Sequence, residues 1–183
     1  MGRPLTCGVR RFWDFRQEWV REHLAHRMIG LLRECGFGYL KIDYNETIGI
    51  GCDGADSLGE GLRSQIEAVQ LFMMRIRREL PDLVIENCSS GGQRNEPSMM
   101  ALCSVGCFSD THECVQIPVM AANMHRVILP RQNLVWCVVR PQDDARRLYY
   151  SLAATLLGRM CLSGDITRLP EAGQRIVDEA IAF

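Results

Sequence analysis

The chain has 183 residues with 21 basic and 22 acidic side chains, and this balance gives no electrostatic footprint for nucleic acid or for an anionic membrane. No apolar run approaches the roughly 20 residues that cross a bilayer, and no apolar stretch of the secretory-signal type follows Met1–Pro4. The composition therefore predicts a protein with neither a nucleic-acid nor a membrane partner, and the length suffices for one domain with a hydrophobic core.

Nine cysteines are scattered along the chain, mostly within apolar stretches. An odd number in such positions predicts buried reduced thiols in a cytoplasmic protein, not a disulfide framework. Cys103, Cys107, His112 and Cys114 lie close enough in sequence for zinc to be weighed. The paired Cys-x-x-Cys spacing of a zinc site is missing, however, so we expect no metal and no cofactor.

The first half of the chain alternates helices with short apolar strands. Apolar residues at helical spacing predict helices over about 16–34 and 62–80, the second ending before Pro81. Strands are expected at 39–43 and 83–86, with a loop of glycines and acidic residues over 48–61. In the first helix the expected apolar positions are Val20, Leu24, Met28 and Leu31. In the second they are Leu62, Ile66, Val69, Met73, Ile76 and Leu80.

The second half continues the alternation. A helical turn is expected at 97–102, a strand at 105–110, and then a long irregular segment that contains Pro118 and Pro130. Residues 134–139 read as a strand, although a short buried helix fits the same apolar run. The remaining predicted elements are a helix at 143–157, a strand at 160–162 and a helix from 171 onward. About five strands alternating with helices are typical of an α/β fold with parallel strands.

Three of these strands run into polar loops. Asp43 ends the first, Asp110 ends the third, and the segment Glu86–Arg94 with its two glycines follows the second. A (β/α) barrel presents catalytic groups in this way, at the carboxyl ends of its strands. Two carboxylates on different strands suit cleavage of a glycosidic bond. The alternative for either residue alone is an aspartate that caps the next helix.

Four motifs in order closely resemble glycoside hydrolase family 36, the bacterial-type α-galactosidases. They are the strand end Lys41–Asn45, the loop Asn87–Gly92, the pair Ser109–Asp110 and the segment Gly158–Asp165. The resemblance extends from about Gly8 to the C-terminus. It implies a partial (β/α)8 TIM barrel, about strands 3 to 8 of the catalytic domain, over residues 1–183. The family's N-terminal β-sandwich, first two barrel strands and C-terminal β-domain have no counterpart here, so a fragment of a larger enzyme is expected.

The resemblance also implies the chemistry. Asp43 would be the nucleophile and Asp110 the general acid/base of a retaining hydrolysis that releases terminal α-linked galactose from oligosaccharides such as melibiose or raffinose. The family's substrate-contacting positions correspond here to Lys41, Asn45, Cys88, Ser89, Gly91 and Arg94. The chain departs from the family pattern at His112, in the stretch Thr111–Glu113 after the acid/base, and at Glu96, where an aspartate is frequent. It also has Ile42 and Tyr44 where tryptophan and methionine are frequent.

Other readings stay open beside this one. Within the same chemistry they are an α-N-acetylgalactosaminidase and a raffinose-synthase-like transglycosidase. A different class is an inactive truncated remnant or a sugar-binding subunit, for which the short length argues and the intact Asp43 and Asp110 argue against. A Rossmann-type nucleotide binder fails because no Gly-x-Gly-x-x-Gly turn follows the first strand. Assembly into a homo-oligomer is left open.

Overall fold

A computed structural model of the protein describes residues 5–7, 10–49 and 51–183. The chain forms two compact units, the first ending at Ile85 and the second running from Glu86 to Phe183. Both units combine helices with strands, so the predicted α/β class is confirmed. The five predicted strands correspond to β3–β7 below, and the run at 134–139 is a strand, not a helix.

In the first unit a short antiparallel pair, absent from the sequence prediction, precedes the helices. It joins β1 to β2, with Thr6 opposite Arg11 and Cys7 opposite Arg10. The elements of the first unit are β1 (Thr6–Cys7), β2 (Arg10–Arg11), α1 (Glu18–Leu24), a π-helical segment (Ala25–Ile29), α2 (Gly30–Cys35), β3 (Tyr39–Asp43) and α3 (Leu58–Glu79). The amide of Val84, in the strand β4 (Val84–Cys88), donates to the carbonyl of Gly38 at 3.0 Å.

The helix predicted over about 16–34 is interrupted by the π-helical segment. Val20 and Ile29 are both buried although nine residues separate them, whereas two α turns span only about seven residues. The extra residue of a π turn returns Ile29 to the buried face. The expectation that Leu31 shares this face was wrong, because its side chain is 54% exposed.

Helix α3 begins at Leu58, four residues before its predicted start. The Ser57 hydroxyl accepts a hydrogen bond from the Glu60 amide at 3.1 Å and so caps the N-terminus of α3. Ser57 lies within the loop predicted over 48–61, so the helix starts inside that loop. The buried face is also rotated from the predicted one, since it includes Gln65 and Phe72 and leaves Ile66 44% exposed.

Gln65 explains that rotation, because it ties α3 to the segment before α1. Its amide nitrogen donates to the carbonyl of Trp13 and its oxygen accepts from the amide of Phe15, both at 2.8 Å. The Phe15 ring packs edge-on against Phe72 at 5.4 Å between centroids. A buried glutamine is stable on the inner face of an amphipathic helix when its amide makes hydrogen bonds, as this one does with two backbone groups.

The Asp14–Arg16 ion pair holds the same segment from outside and predicts a pH effect. Hydrogen bonds from the Arg16 guanidinium lower the pKa of the Asp14 carboxyl, against the opposing effect of its partial burial. A lowered folded-state pKa adds stability above the unfolded-state value of about 4, and this stability is lost as the pH falls through the folded-state value. Asp14→Asn is therefore expected to lower the free energy of unfolding by about 1 kcal/mol at pH 7.

Urea unfolding of the variant and the parent at pH 7 and at about pH 3 measures this effect. The difference between the two proteins should shrink at the acidic pH. Glu67→Gln serves as control, since Glu67 forms an exposed ion pair with Arg63 and its loss should change little. An Asp14 variant whose deficit is the same at both pH values would contradict the assignment.

In the second unit, four strands form a parallel sheet in the order β4–β5–β6–β7. The register places Glu86 beside Val105, Gly106 beside Asn133 and Val139 beside Gly164. The remaining elements are α4 (Pro97–Met100), β5 (Val105–Cys107), α5 (Ile117–Met124), β6 (Asn133–Val139), α6 (Ala145–Thr155), β7 (Arg159–Gly164) and α7 (Glu171–Ala182). The core between β6, α6 and α7 is built from Cys137, Val139, Leu148, Leu152, Leu169, Ile176 and Val177.

The segment after Asp110 was predicted to be irregular throughout, but α5 occupies residues 117–124. Pro118 lies in its first turn, where proline is tolerated because the amide it lacks would have no helical partner. Ile117 and Ala121 pack onto Val135 of β6. Within residues 5–7, 10–49 and 51–183, no helix is both long and apolar enough to cross a membrane.

Candidate active site

In the first unit, Asp43 is the last residue of β3, as the sequence predicted. Tyr39, Lys41 and Asp43 alternate along the strand and are exposed, while the residues between them are partly buried. Side chains two apart on a strand share a face, so Lys41 and Asp43 are presented together. Asn45 follows and is also exposed. This face offers a carboxylate with an ammonium group one pleat away.

In the second unit, a tight glycine turn follows β4. Ser90, Gly91 and Gly92 all have positive φ, at 43°, 108° and 81°. The turn lies close to the end of β5, since a Cβ on Gly92 would come within 3.1 Å of the Cα of Phe108. Only a residue without a side chain meets both conditions comfortably. Backbone amides in such a turn can approach a ligand closely.

The predicted loop residues divide by burial. Cys88 and Ser89 are buried, Gly91 is exposed and Arg94 is partly buried. The Ser89 hydroxyl accepts from the Arg94 amide at 3.1 Å, which closes the loop on itself. The Arg94 guanidinium contacts the sulfur of Met99 at 3.8 Å.

Two buried asparagines that the sequence reading left without a role fix this loop. The Asn87 amide nitrogen donates to the carbonyl of Arg94 at 2.8 Å and lies 3.4 Å from the amide oxygen of Asn95. The Asn95 amide nitrogen donates to the carbonyl of Cys107 at 3.0 Å, and its own backbone amide donates to Gly92. These bonds connect the loop to the last residue of β5. An asparagine inside the apolar strand run was the signal in sequence.

Removing the Asn95 side chain should loosen this connection. Asn95→Ala leaves the buried carbonyl of Cys107 without its side-chain donor, so we expect a loss of about 2 kcal/mol in the free energy of unfolding. Asn123→Ala is the matched control in the same unit, because the Asn123 side chain donates to the Val119 carbonyl of its own helix from an exposed position. Urea unfolding of both variants measures the difference. An Asn95 variant as stable as the control would contradict the role of this residue.

Asp110 lies three residues past β5, in a turn organised by its neighbours. The Ser109 hydroxyl accepts from the Thr111 amide at 3.0 Å, and the Asp110 side chain is exposed. The strand itself ends at Cys107, so the prediction that it reaches Asp110 was too long. The His112 ring lies 5.8 Å from the Trp136 ring, centroid to centroid. Aromatic packing is thus one role of His112.

Glu96, another departure from the family pattern, caps α4. Its carboxylate accepts from the amides of Ser98 and Met99, both at 2.8 Å. Desolvation acts to raise the pKa of Glu96, but the hydrogen bond from the Ser98 hydroxyl, together with these two amide bonds, outweighs it and the net shift is downward. The structural role of Glu96 is therefore to cap the N-terminus of α4.

None of the cysteines whose side chains the structure describes forms a disulfide. The zinc candidates considered from sequence do not assemble: in the part of the chain that the structure describes, the acidic, histidine and cysteine side chains close enough to share an ion are Glu86, Cys88 and Cys107. Of the original candidates only Cys107 belongs to this trio. The predicted site residues thus fall in both units, with Lys41, Asp43 and Asn45 in the first and the loop residues and Asp110 in the second.

Comparison with known proteins gives the family. Residues 5–183 match the family model described as Melibiase. A curated relative, α-galactosidase 2 of Pediococcus pentosaceus, is 30% identical over 110 residues, which is 58% of this chain and 15% of the relative.

Solved structures share the fold. An α-galactosidase of family 36 from Geobacillus stearothermophilus superposes with a TM-score of 0.85 at 22% identity, covering 99% of this chain and 26% of that protein. The α-galactosidase from Lactobacillus brevis gives a TM-score of 0.83 at 20% identity, covering 94% and 24%. The chain thus spans about a quarter of the solved relatives it matches. It belongs to the melibiase family, the α-galactosidases of glycoside hydrolase family 36, and has the fold of part of their catalytic TIM barrel.

Proposed function

We propose that this chain carries part of the active site of a retaining α-galactosidase. One observation carries the proposal: in a chain that matches the family from residue 5 to its end, Asp43 closes one strand and Asp110 follows another, and both carboxylates are exposed. Groups at the carboxyl ends of barrel strands face the active-site mouth.

Asp43 acts as the nucleophile. Its carboxylate attacks the anomeric carbon of galactose while the bond from that carbon to the leaving oxygen breaks, and a covalent galactosyl ester forms. Lys41, on the same strand face, supplies a positive charge beside the nucleophile and a donor for a sugar hydroxyl. Asn45 contacts the same sugar from the loop that follows.

Asp110 acts as the general acid and then as the base. It gives its proton to the leaving oxygen in the first step and takes a proton from water in the second, when water cleaves the ester and restores the anomeric configuration. The Asp110 side chain is exposed between the half-buried Ser109 and Thr111, which leaves it open to both the leaving group and water.

The glycine loop binds the sugar beside these groups. Cys88, Ser89 and Gly91 lie against the galactose C2 hydroxyl, and Arg94 holds the loop or contacts substrate. The positive φ angles and the bonds from Asn87 and Asn95 support a preorganised loop. Contacts to this hydroxyl strengthen as the ring flattens toward the oxocarbenium-like state.

We take the substrate to be a terminal α-galactoside such as melibiose or raffinose. Variants of the Geobacillus enzyme have been solved in complex with raffinose and with stachyose, which supports this substrate class. A cytoplasmic location, suggested by the many thiols, accompanies the proposal. Homo-oligomer formation is testable by the mass of the purified protein in solution.

The test is turnover and binding by the purified 183-residue chain. Hydrolysis of an aryl α-galactoside, with α-galactose as the first product seen by proton NMR, supports a retaining enzyme. Binding of galactose without turnover favours the sugar-binding subunit. An enzyme that turns over the aryl α-N-acetylgalactosaminide faster favours the related N-acetylgalactosaminidase, since that substrate needs more room beside Cys88. Transfer of galactose to sucrose without release to water favours the transglycosidase.

A protein that neither binds galactose nor hydrolyses galactosides, even with the rest of a relative's catalytic domain added, would overturn the proposal for this chain. Circular dichroism must show that the tested sample is folded. Adding the missing part of a relative's catalytic domain as a separate chain then distinguishes an incomplete enzyme from a remnant, because only the incomplete enzyme gains activity.

A further inference from the structure

Three potential metal ligands meet at the carboxyl end of the sheet in the second unit. Glu86 and Cys88 lie two residues apart on β4, so their side chains share a face. The register pairs Asn87 with Gly106, and the next residues along the two strands are Cys88 and Cys107. A carboxylate oxygen of Glu86 and the two sulfurs all lie within 4.8 Å of one another. Strand pairing, not sequence proximity, assembles this trio.

The spacing fits a small soft cation. Two sulfurs bound to one tetrahedral zinc ion at about 2.3 Å each lie about 3.8 Å apart, and a carboxylate oxygen binds at about 2.1 Å. Side chains already within 4.8 Å of one another need only small torsional adjustments to reach those distances. All three residues are at most 5% exposed, so the ion would be held away from bulk water.

The chemistry of the donors selects the class of ion. Two thiolates favour zinc and its heavier analogues over magnesium and calcium, which prefer oxygen. Binding releases the two thiol protons to solvent. The Cys107 thiol now contacts the carbonyl of Ser109 at 3.4 Å, a weak bond that the metal would replace. Two negative thiolates and one carboxylate more than balance a divalent charge, and water can complete the tetrahedron.

We propose that Glu86, Cys88 and Cys107 form a binding site for one soft divalent cation of the zinc type. The site lies directly before the glycine loop, since Ser89 follows Cys88. Its ligands need only the second unit to be folded, so metal binding can be measured without hydrolysis. Cys88 is also a proposed galactose contact, so metal and sugar would compete for the same sulfur.

Cobalt(II) is the probe for the test, because thiolate ligands give it a charge-transfer absorption in the near ultraviolet that oxygen ligands lack. The reduced, folded 183-residue chain is titrated with cobalt, and zinc is then added to displace it. We expect one equivalent of cobalt per chain with two thiolates. Cys88→Ala and Cys107→Ala should each weaken cobalt binding at least tenfold, and Glu86→Gln should weaken it with the thiolate absorption retained.

Matched controls come from cysteines outside the trio. Cys161→Ala changes a partly buried thiol of the same sheet and Cys35→Ala changes an exposed one, and both should bind cobalt as the parent does. Cys137→Ala is a third control, at a buried thiol whose pKa burial raises to about 12, and it too should bind cobalt as the parent does. A thermal melt of each variant identifies any that fail to fold. If a cysteine variant does not fold, the parent protein is used instead: bound zinc should protect Cys88 and Cys107 of the parent from alkylation.

The outcomes decide between a site and three buried side chains without one. No thiolate absorption in the parent, or binding unchanged in the Cys88→Ala, Cys107→Ala double variant, overturns the proposal. The proposal is also overturned if, in samples pulsed with urea, zinc protects Cys35 from alkylation but leaves Cys88 and Cys107 open to it. Because no sugar enters these measurements, their result is separate from whether the protein hydrolyses galactosides.

Discussion

Asp43→Asn is expected to lower kcat for an aryl α-galactoside by at least about 10⁴-fold, because the amide cannot form the galactosyl ester. Galactose binding should survive, since the asparagine keeps the size of the side chain. Steady-state kinetics with titration of free galactose measures the two effects separately. Asp56→Asn is the control, being an exposed aspartate of the same unit with no proposed role.

The partner substitution distinguishes the roles of the two aspartates. Asp110→Ala should slow galactosides with poor leaving groups far more than activated aryl ones, since only the former need a proton from the acid. Added azide should then restore turnover with a galactosyl azide of retained α configuration. In Asp43→Gly, azide should instead give the inverted β product. The same azide product from both variants would contradict the division of roles, and an unimpaired Asp43→Asn enzyme would remove the nucleophile assignment.

Gly164→Ala is expected to destabilise the second unit by about 3–5 kcal/mol, the largest stability effect that we foresee. Gly164 ends β7 beside Val139 with φ at 91°, and a Cβ there would lie 2.1 Å from the Val139 carbonyl oxygen. That oxygen also accepts the amide of Asp165 at 3.0 Å, so the strand cannot move away without losing the bond. Steric overlap and left-handed strain therefore add together.

The matched control is a glycine-to-alanine substitution at Gly30, where it should raise stability. Gly30 lies at the start of α2, and nothing lies within 4 Å of the position its Cβ would take. Gly30→Ala should therefore stabilise the first unit by about 0.5 kcal/mol through its helix propensity. Urea unfolding followed by circular dichroism measures both variants. Equal effects of the two substitutions would show that the close approach at Gly164 relaxes easily.

Most elements of the fold are predictable from sequence, and the exceptions have local physical causes. The strands at 84–88 and 133–139 and the helix at 171–182 lie where apolar periodicity predicts them. The start of α3 was misplaced because Ser57 caps it, and α5 was missed because Pro118 occupies the first turn of a helix. Both errors concern helix ends, where one side chain outweighs the periodicity.

The candidate site divides in the same way. The ends of β3 and β5 and the glycine loop are visible in sequence, because polar and glycine residues follow apolar runs there. The amide bonds of Asn87 and Asn95 are not visible, since their partners lie across a turn and on a neighbouring strand. An asparagine within an apolar strand indicates that a buried amide needs a hydrogen-bond partner, but the sequence does not show which carbonyl that partner is.

The sequence by itself determines the alternation of helices and strands, the two candidate carboxylates and the family motifs, because each of these depends on neighbours along the chain. The tertiary structure alone decides that Cys88 lies beside Cys107 with Glu86, and that Gly164 has no room for a methyl group. The physical reason is register: a shift of one residue between paired strands would exchange their faces and bring different side chains together. That register is set by core packing and strand hydrogen bonds between residues distant in sequence.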